Sequence, residues 1–326
     1  MNRKLLFFIP CLFFCLTVTL AFSSCGSETT QQDSSNTSQA VAKSSGESDD
    51  SSGQTQEGTR GSHLQILTPE ASGSEVYTSD VAEIDASHTD EGYVMVNYTG
   101  SNEKVKLQIA GPKGSTYTFT LHGGYETFPL TEGDGSYQIA VYENISADQY
   151  ANAMTEIVDV TITNEFGPYL YPNQYVNYTD APNTAALSEK LATPADSDMD
   201  VVSNVYQYVT ENITYDYDKA ATVQSGYLPD VDETLATGKG ICFDYSALMA
   251  SLLRMQGIPT RMEHGYNGEI YHAWISVYIE GTGWINAVIS FDGTGWHMMD
   301  PTFASTSDSP TDFIPDESDY VLKYIY

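Results

Sequence analysis

Three residues in the C-terminal part of the chain, Cys242, His272 and Asp300, are of the types that perform nucleophilic catalysis. A thiolate can attack a carbonyl carbon, an imidazole can move protons, and a carboxylate can hold the imidazole in the required tautomer. The three residues follow one another in that order, each within a distinctive local sequence. The pattern predicts a Cys-His-Asp nucleophile constellation.

The sequence around each of these residues predicts the element that must position it. A buried helix should run from about Cys242 to Met255, and its first turn offers free N–H groups and a positive dipole end, both of which favour a thiolate. Alternating side chains predict a strand over His272–Ile279, onto which the helix could pack. Asp300 should end a strand that begins at Trp296, because Pro301 stops further pairing.

Acyl transfer also requires hydrogen-bond donors for the oxyanion that forms on the substrate. The backbone N–H of Cys242 could supply one of them. Our candidates for the other donor and for the substrate cleft are Tyr215, Tyr217 and Trp274.

Each residue also has a simpler interpretation. A single cysteine in a helix is usually a small buried apolar residue, a histidine near a tryptophan is often a packed aromatic, and an aspartate before a proline is ordinarily a turn residue. A zinc site that includes His264 and His297 is a further alternative. However, the sequence has no Cys-x-x-Cys or His-Glu-x-x-His spacing in this region, so we expect no metal and no other cofactor.

The N-terminal residues 1–24 have the pattern of a secretory signal, with basic residues before an apolar run. The small residues that precede Cys25 resemble a bacterial lipobox, in which the cysteine is diacylated. We therefore expect a lipid anchor on the extracellular face of the bacterial cytoplasmic membrane. The alternative is an ordinary cleaved signal that leaves Cys25 free.

Composition restricts the rest of the chain. Residues 25–63 are rich in serine and contain no aromatic residue, so we expect a disordered tether. The formal net charge of −31 would repel phosphate backbones, so nucleic acid is not an expected partner. Cys242 is the single cysteine after Cys25, which excludes a framework of intrachain disulfides.

Two folded domains are predicted after the tether. Over residues 64–166, apolar residues alternate with polar ones between glycine-rich turns, which predicts an immunoglobulin-like β-sandwich that either binds a ligand or acts as a spacer. Residues 167–326 form the second domain, in which a helical stripe over 201–209 has Ser197 or Asp198 as its N-cap. The tyrosine-rich stretch Tyr169–Tyr178 should either border the cleft or pack between the domains.

Several segments of the second domain resemble the transglutaminase-like superfamily. They are Val205–Asp216, Gly238–Leu248, Leu252–Pro259, Tyr271–Trp274 and Trp296–Thr302. The resemblance implies a papain-like α+β core with Cys242 as nucleophile, His272 as general base and acid, and Asp300 as the residue that orients it. The calcium sites of animal transglutaminases have no counterpart here, so the resemblance does not imply calcium dependence.

These observations lead to a functional hypothesis with open alternatives. The expected chemistry is acyl transfer through a Cys242 thioester, with a protein or a peptide, such as a cell-wall peptide, as the substrate. An amine acceptor would make the protein a transamidase and water would make it a cysteine peptidase or amidase, and the sequence does not rank the two. The alternative is a catalytically inert surface module that binds peptide or cell-wall polymer.

Overall fold

The computed structural model describes residues 56–286, 289–291, 296–298 and 320–326. The predicted signal, the lipidation site Cys25, the N-terminal part of the tether and Asp300 lie outside the described residues.

The N-terminal part of the described chain is made of two four-stranded antiparallel sheets, in agreement with the alternating sequence. The strands are β1 (Val76–Thr78), β2 (Ala82–Asp85), β3 (Tyr93–Tyr98), β4 (Val105–Ala110), β5 (Thr116–Leu121), β6 (Gly124–Pro129), β7 (Gly135–Ser146) and β8 (Gln149–Val160). One sheet has the order β1-β2-β3-β6 and the other β5-β4-β7-β8. We call these two sheets the N-terminal module; their immunoglobulin-like character stays a prediction.

The C-terminal part combines helices with a second antiparallel sheet. Its helices are α1 (Pro182–Ala192), α2 (Asp198–Asn212), α3 (Tyr217–Thr222), α4 (Val231–Thr237) and α5 (Cys242–Arg254). Its strands are β9 (Thr214–Tyr215), β10 (Lys239–Gly240), β11 (Thr260–Asn267), β12 (Ile270–Ile279), β13 (Gly283–Ile285), β14 (Ile289–Phe291), β15 (Trp296–Met298) and β16 (Tyr320–Ile325). The main sheet has the order β13-β12-β11-β16. Within the described residues, no helix is long and apolar enough to cross a membrane.

The two helices that the sequence predicts are present. Helix α2 begins after Ser197, whose side-chain oxygen accepts a hydrogen bond from the Asp200 N–H at 3.2 Å, as expected of an N-cap. Helix α5 is buried from Asp244 to Arg254 and packs against β11 and β12, which accounts for its apolar residues on nearly all faces. This packing places Cys242, the first residue of α5, on a helix that lies against the strand that carries His272.

The N-terminal module and the C-terminal part share one buried cluster. The ring of Phe119, on β5, lies 5.5 Å from the ring of Tyr175 and 5.9 Å from that of Tyr326, centroid to centroid. The Gln174 Nε2 donates a hydrogen bond to the Thr120 carbonyl at 2.7 Å. Strand β5 is therefore packed directly against the part of the chain that contains Cys242 and His272.

A short segment that the sequence assigns to the tether is bound to the C-terminal part. The Gly58 N–H donates to the Thr193 carbonyl at 2.8 Å, and the Arg60 Nε lies 2.9 Å from the Asp198 carboxylate. Composition alone cannot reveal these contacts, since their partners lie more than 130 residues further along the chain.

Arg254 is a fully buried guanidinium that joins three segments of the chain. Its Nε and Nη2 donate to the Thr260 carbonyl at 2.9 and 2.8 Å, Nη1 donates to Tyr171 O at 2.9 Å, and Nη2 donates to Tyr326 O at 2.9 Å. Burial lowers the pKa of Arg254 to about 10, so the group stays charged at neutral pH. The fork of donors holds the end of α5, the segment around Tyr171 and the residue after β16 together.

We predict that Arg254→Met lowers the free energy of unfolding by about 3 kcal/mol or more, because three carbonyl acceptors lose their buried donor. Chemical denaturation monitored by tryptophan fluorescence measures the change. Lys113→Met, which removes an exposed cation, is the control and should change stability by less than about 0.5 kcal/mol. Equal effects of the two substitutions would contradict the structural role of Arg254.

Candidate active site

Cys242 is the first residue of α5 and its side chain is half-buried. The helix begins here because the Asp244 carboxylate, in the first turn, accepts a hydrogen bond from the Ile241 N–H at 2.8 Å. Gly240 permits the close approach of the preceding chain to Asp244, since a Cβ at this position would lie 2.7 Å from the Asp244 Cβ. The thiol is thus fixed at a helix N-terminus, where the sequence places it.

The carboxylate of Asp244 is completely buried and has two further partners. Its Oδ1 accepts from the Tyr227 hydroxyl at 2.5 Å and its Oδ2 lies 2.8 Å from the Lys219 Nζ. Burial, together with the hydrogen bond to Asp244, raises the pKa of Tyr227. These bonds attach the chain between Lys219 and Tyr227 to the start of α5, next to Cys242.

His272 lies on β12, directly opposite Gly265 on β11. Its ring is buried and stacks on the Trp274 ring with a centroid distance of 6.3 Å and an interplanar angle of 25°. A side chain at Gly265 would force the neighbouring strand and ring to move, because a Cβ would lie 2.8 Å from the Trp274 Cη2 and would collide with the carbonyl of Val321 on β16. The glycine therefore permits the close packing that supports the histidine.

Trp274 is itself held by Glu263, a buried carboxyl on β11. The Glu263 Oε2 accepts hydrogen bonds from the Trp274 Nε1 at 2.7 Å and from the Ser276 hydroxyl at 2.8 Å. Burial raises the pKa of Glu263. The indole is thereby locked behind His272, which fixes one side of the imidazole.

Cys242 and His272 line the same cavity, which has a volume of about 610 Å³. Much of its wall is aromatic. The aromatic residues with rings other than imidazole are Tyr175, Tyr215, Tyr227, Phe243, Tyr271, Tyr324 and Tyr326. We call this space the aromatic chamber. It places a thiol and an imidazole beside a concave, mostly apolar surface, which is the usual form of a small-molecule or side-chain binding site.

A second imidazole, His264, also lines the aromatic chamber. Its ring lies 4.8 Å from the Phe243 ring and 5.0 Å from the Tyr326 ring, centroid to centroid. Burial, and secondarily the nearby charge of His272, lowers the pKa of His264 to about 3. His264 is therefore neutral at physiological pH, and its Nε2 has no hydrogen-bond partner among the described residues.

The structure brings together some of the predicted site residues. Tyr215 lines the aromatic chamber with Cys242 and His272, because β9 pairs in parallel with β10 just before the nucleophile helix. Tyr217 is 68% exposed, and its ring lies 5.0 Å from that of Tyr215, centroid to centroid. Tyr217 is not among the described residues that line the chamber.

Trp274 is also outside that lining, since its indole is turned toward Glu263. Its ring stacks on that of His272, and a contact of Trp274 with substrate stays a prediction. Asp300 belongs to the residues that the structure does not describe, so its role stays a prediction.

Several lining residues were not predicted as part of the site. Tyr175 lies in a stretch, Tyr169 to Tyr178, whose richness in tyrosine is visible in the sequence. Tyr169 and Tyr178 are buried, whereas Tyr175 reaches the chamber. No sequence pattern pointed to Tyr324 and Tyr326, since they reach the site only through the pairing of β16 with β11. Thr118 comes from β5 of the N-terminal module.

We predict that the buried, neutral His264 makes the protein sensitive to acid. The folded-state pKa of about 3 lies below the value of 6.5 in an unfolded chain, so the stability that the neutral ring provides is complete above pH 6.5. It is lost as the pH falls, by about 2 kcal/mol between pH 6.5 and 5.

In His264→Phe, the free energy of unfolding should therefore fall less between pH 7 and pH 5 than it does in the wild type. Denaturant titrations at each pH measure it, with His122→Phe as the control for loss of an exposed imidazole. An identical pH dependence in His264→Phe and the wild type would contradict the prediction.

Comparison with known families agrees with this geometry. Residues 185–301 match the family model of the Transglutaminase-like superfamily, and this range contains Cys242, His272 and Asp300. This segment of the chain is similar to the core of that superfamily.

Individual relatives cover the chain only in part. An uncharacterized protein of Bacillus subtilis, YebA, is 26% identical over 208 residues, which are 56% of this chain and 28% of that protein. The kyphoscoliosis peptidase of Mus musculus is 27% identical over 131 residues, 36% of this chain and 18% of the peptidase. The chain thus spans less than a third of the length of either relative.

Among solved structures, a candidate cysteine protease from Cytophaga hutchinsonii is 14% identical, with a TM-score of 0.38. The match covers 77% of this chain and 73% of that one.

Proposed function

We propose that the protein is a thiol-dependent acyl-transfer enzyme that acts on amide bonds of peptides or proteins. The observation that carries the proposal is that Cys242, at the start of α5, and His272, on β12, line one cavity. The transglutaminase-like core supports it, because the two residues fall within the matched segment. A buried structural cysteine would not require a cavity of this size beside it.

The proposed reaction has two halves. The Cys242 thiolate attacks the carbonyl carbon of the amide, a C–S bond forms, and the C–N bond breaks as His272 gives a proton to the departing amine. Water or a second amine then attacks the thioester and gives a proton to His272, and the C–S bond breaks to regenerate the thiolate. Water yields hydrolysis and an amine yields transamidation.

Other groups would assist this reaction. The backbone N–H of Cys242, at the positive end of α5, would donate to the oxyanion, and Tyr215 on the chamber wall is our candidate for a second donor. Asp300 would orient His272, as its position in the sequence predicts. Trp274 and Glu263 would keep the imidazole in place from behind.

We predict that Cys242→Ala and His272→Ala each lower acyl transfer by at least about a thousandfold, because each removes a group that takes part in bond making. The assay is mass spectrometry of a panel of peptide amides incubated with and without a primary amine. Conversion of an amide to a carboxylic acid, or cleavage of a peptide bond by water, reports hydrolysis, and replacement of the amide nitrogen by the added amine reports transamidation.

Thermal unfolding serves as the control for folding, since the half-buried Cys242 should contribute little to stability. Wild-type turnover in a folded Cys242→Ala protein would eliminate the proposal.

We further propose that the full-length protein is held on the outer face of the bacterial cytoplasmic membrane by two acyl chains on Cys25. The proposal rests on the lipobox-like sequence before Cys25 and on the serine-rich segment after it. An enzyme anchored in this way would act on envelope proteins or cell-wall peptides.

Cys25→Ser should move the protein from the membrane fraction, where detergent is needed to extract it, to the soluble fraction. Immunoblotting of fractionated cells measures the distribution. A variant that still requires detergent would show that the apolar N-terminal segment, and not a lipid, is the anchor.

A further inference from the structure

The aromatic chamber has an unusual charge pattern for this protein. The chain contains 44 acidic and 13 basic residues, yet no Asp, Glu, Lys or Arg is among the described residues that line the chamber. The tyrosines on the wall are uncharged, and burial raises the pKa of Tyr175 and of Tyr271 to about 12. His264 adds a neutral imidazole.

A wall of this kind should favour uncharged side chains of a substrate over charged ones. Away from the reactive pair Cys242 and His272, a charged side chain that entered would lose its hydration without gaining a partner of opposite charge from these residues. A ring would bury apolar area and could stack against the surrounding aromatic side chains. A volume of about 610 Å³ is sufficient for a large side chain together with neighbouring backbone.

Part of the chamber wall comes from the N-terminal module. Thr118, an exposed residue on β5, lines the chamber together with residues of the C-terminal part, and its neighbours Tyr117 and Phe119 are buried in the shared cluster. The segment Val223–Tyr227 also lines the chamber, and it passes so close to β5 that a Cβ on Gly226 would lie 3.4 Å from the Thr120 Oγ1. The module is thus part of the site and more than a spacer.

We propose that the aromatic chamber selects an uncharged aromatic or bulky apolar side chain of the acyl donor, with Thr118 on β5 as a specificity-determining position. We assign the chamber to the acyl donor because Cys242 and His272 line it. A side chain that binds there belongs to the substrate whose carbonyl lies at Cys242. This inference rests on the proposed function, because it assumes that Cys242 is the nucleophile.

Three chloroacetamides test the inference on the full chain: N-phenethyl, N-(2-aminoethyl) and N-(2-carboxyethyl). Alkylation is read at the Cys242 peptide by mass spectrometry, which separates it from Cys11, Cys15 and Cys25. Each rate is divided by the rate of the same probe with glutathione. Iodoacetamide, which is too small to fill the chamber, reports the reactivity of the thiol itself.

We expect the phenethyl probe to react about tenfold or more faster than either charged probe. The cationic probe is the decisive comparison, since the overall negative charge of the protein attracts it while the chamber does not. Equal rates for the phenethyl and aminoethyl probes, with normal iodoacetamide labelling, would overturn the chamber proposal alone. A Cys242 that is inert to iodoacetamide would overturn the proposed function and, with it, this inference.

Two variants on one strand localise the effect. Thr118→Trp should fill the chamber and lower the ratio of the phenethyl rate to the iodoacetamide rate at least about fivefold. Thr116→Trp adds the same ring on the same exposed face of β5, outside the described lining, and should leave both rates unchanged. Equal phenethyl rates in the two variants would remove β5 from the chamber wall.

Discussion

The buried carboxylate of Asp244 is the constraint on which the candidate site depends. It accepts a hydrogen bond from the Ile241 N–H and so fixes where α5 begins, and with it the position of Cys242. The same carboxylate holds Lys219 and Tyr227, which attach one wall of the aromatic chamber to the nucleophile helix. A buried charge is costly unless it is paired and hydrogen-bonded, and here that requirement couples two elements of the site.

Aromatic packing extends this organisation to the N-terminal module. Tyr175 lies 5.2 Å from Phe243 beside the nucleophile and 5.5 Å from Phe119 on β5, centroid to centroid. The chamber wall is therefore continuous with the hydrophobic cluster that joins the two parts of the chain. Tyr175 thus links β5 to the residue beside Cys242, and the module and the core belong to one compact unit.

The sequence predicted what local patterns determine. Helix α5, helix α2 with its Ser197 cap, and the alternating strands of the N-terminal module follow from periodicity and capping chemistry. The part of the chamber wall formed by Tyr324 and Tyr326 was not predictable, because β16 pairs with β11 across a long separation in sequence. The hydrogen bond from the Trp274 indole to Glu263 was not predictable either, because it joins two strands that pair only in the folded sheet.

The most direct test of the account is whether His272 activates Cys242. The rate of iodoacetamide alkylation at Cys242 should be measured near pH 6, where an unassisted thiol is less than about 1% ionised. The account predicts that His272→Ala lowers this rate about tenfold or more, while His122→Ala, which removes an exposed imidazole of the N-terminal module, does not. Equal rates in the wild type and in a folded His272→Ala protein would show that the two residues do not act together, and would contradict the proposed enzyme.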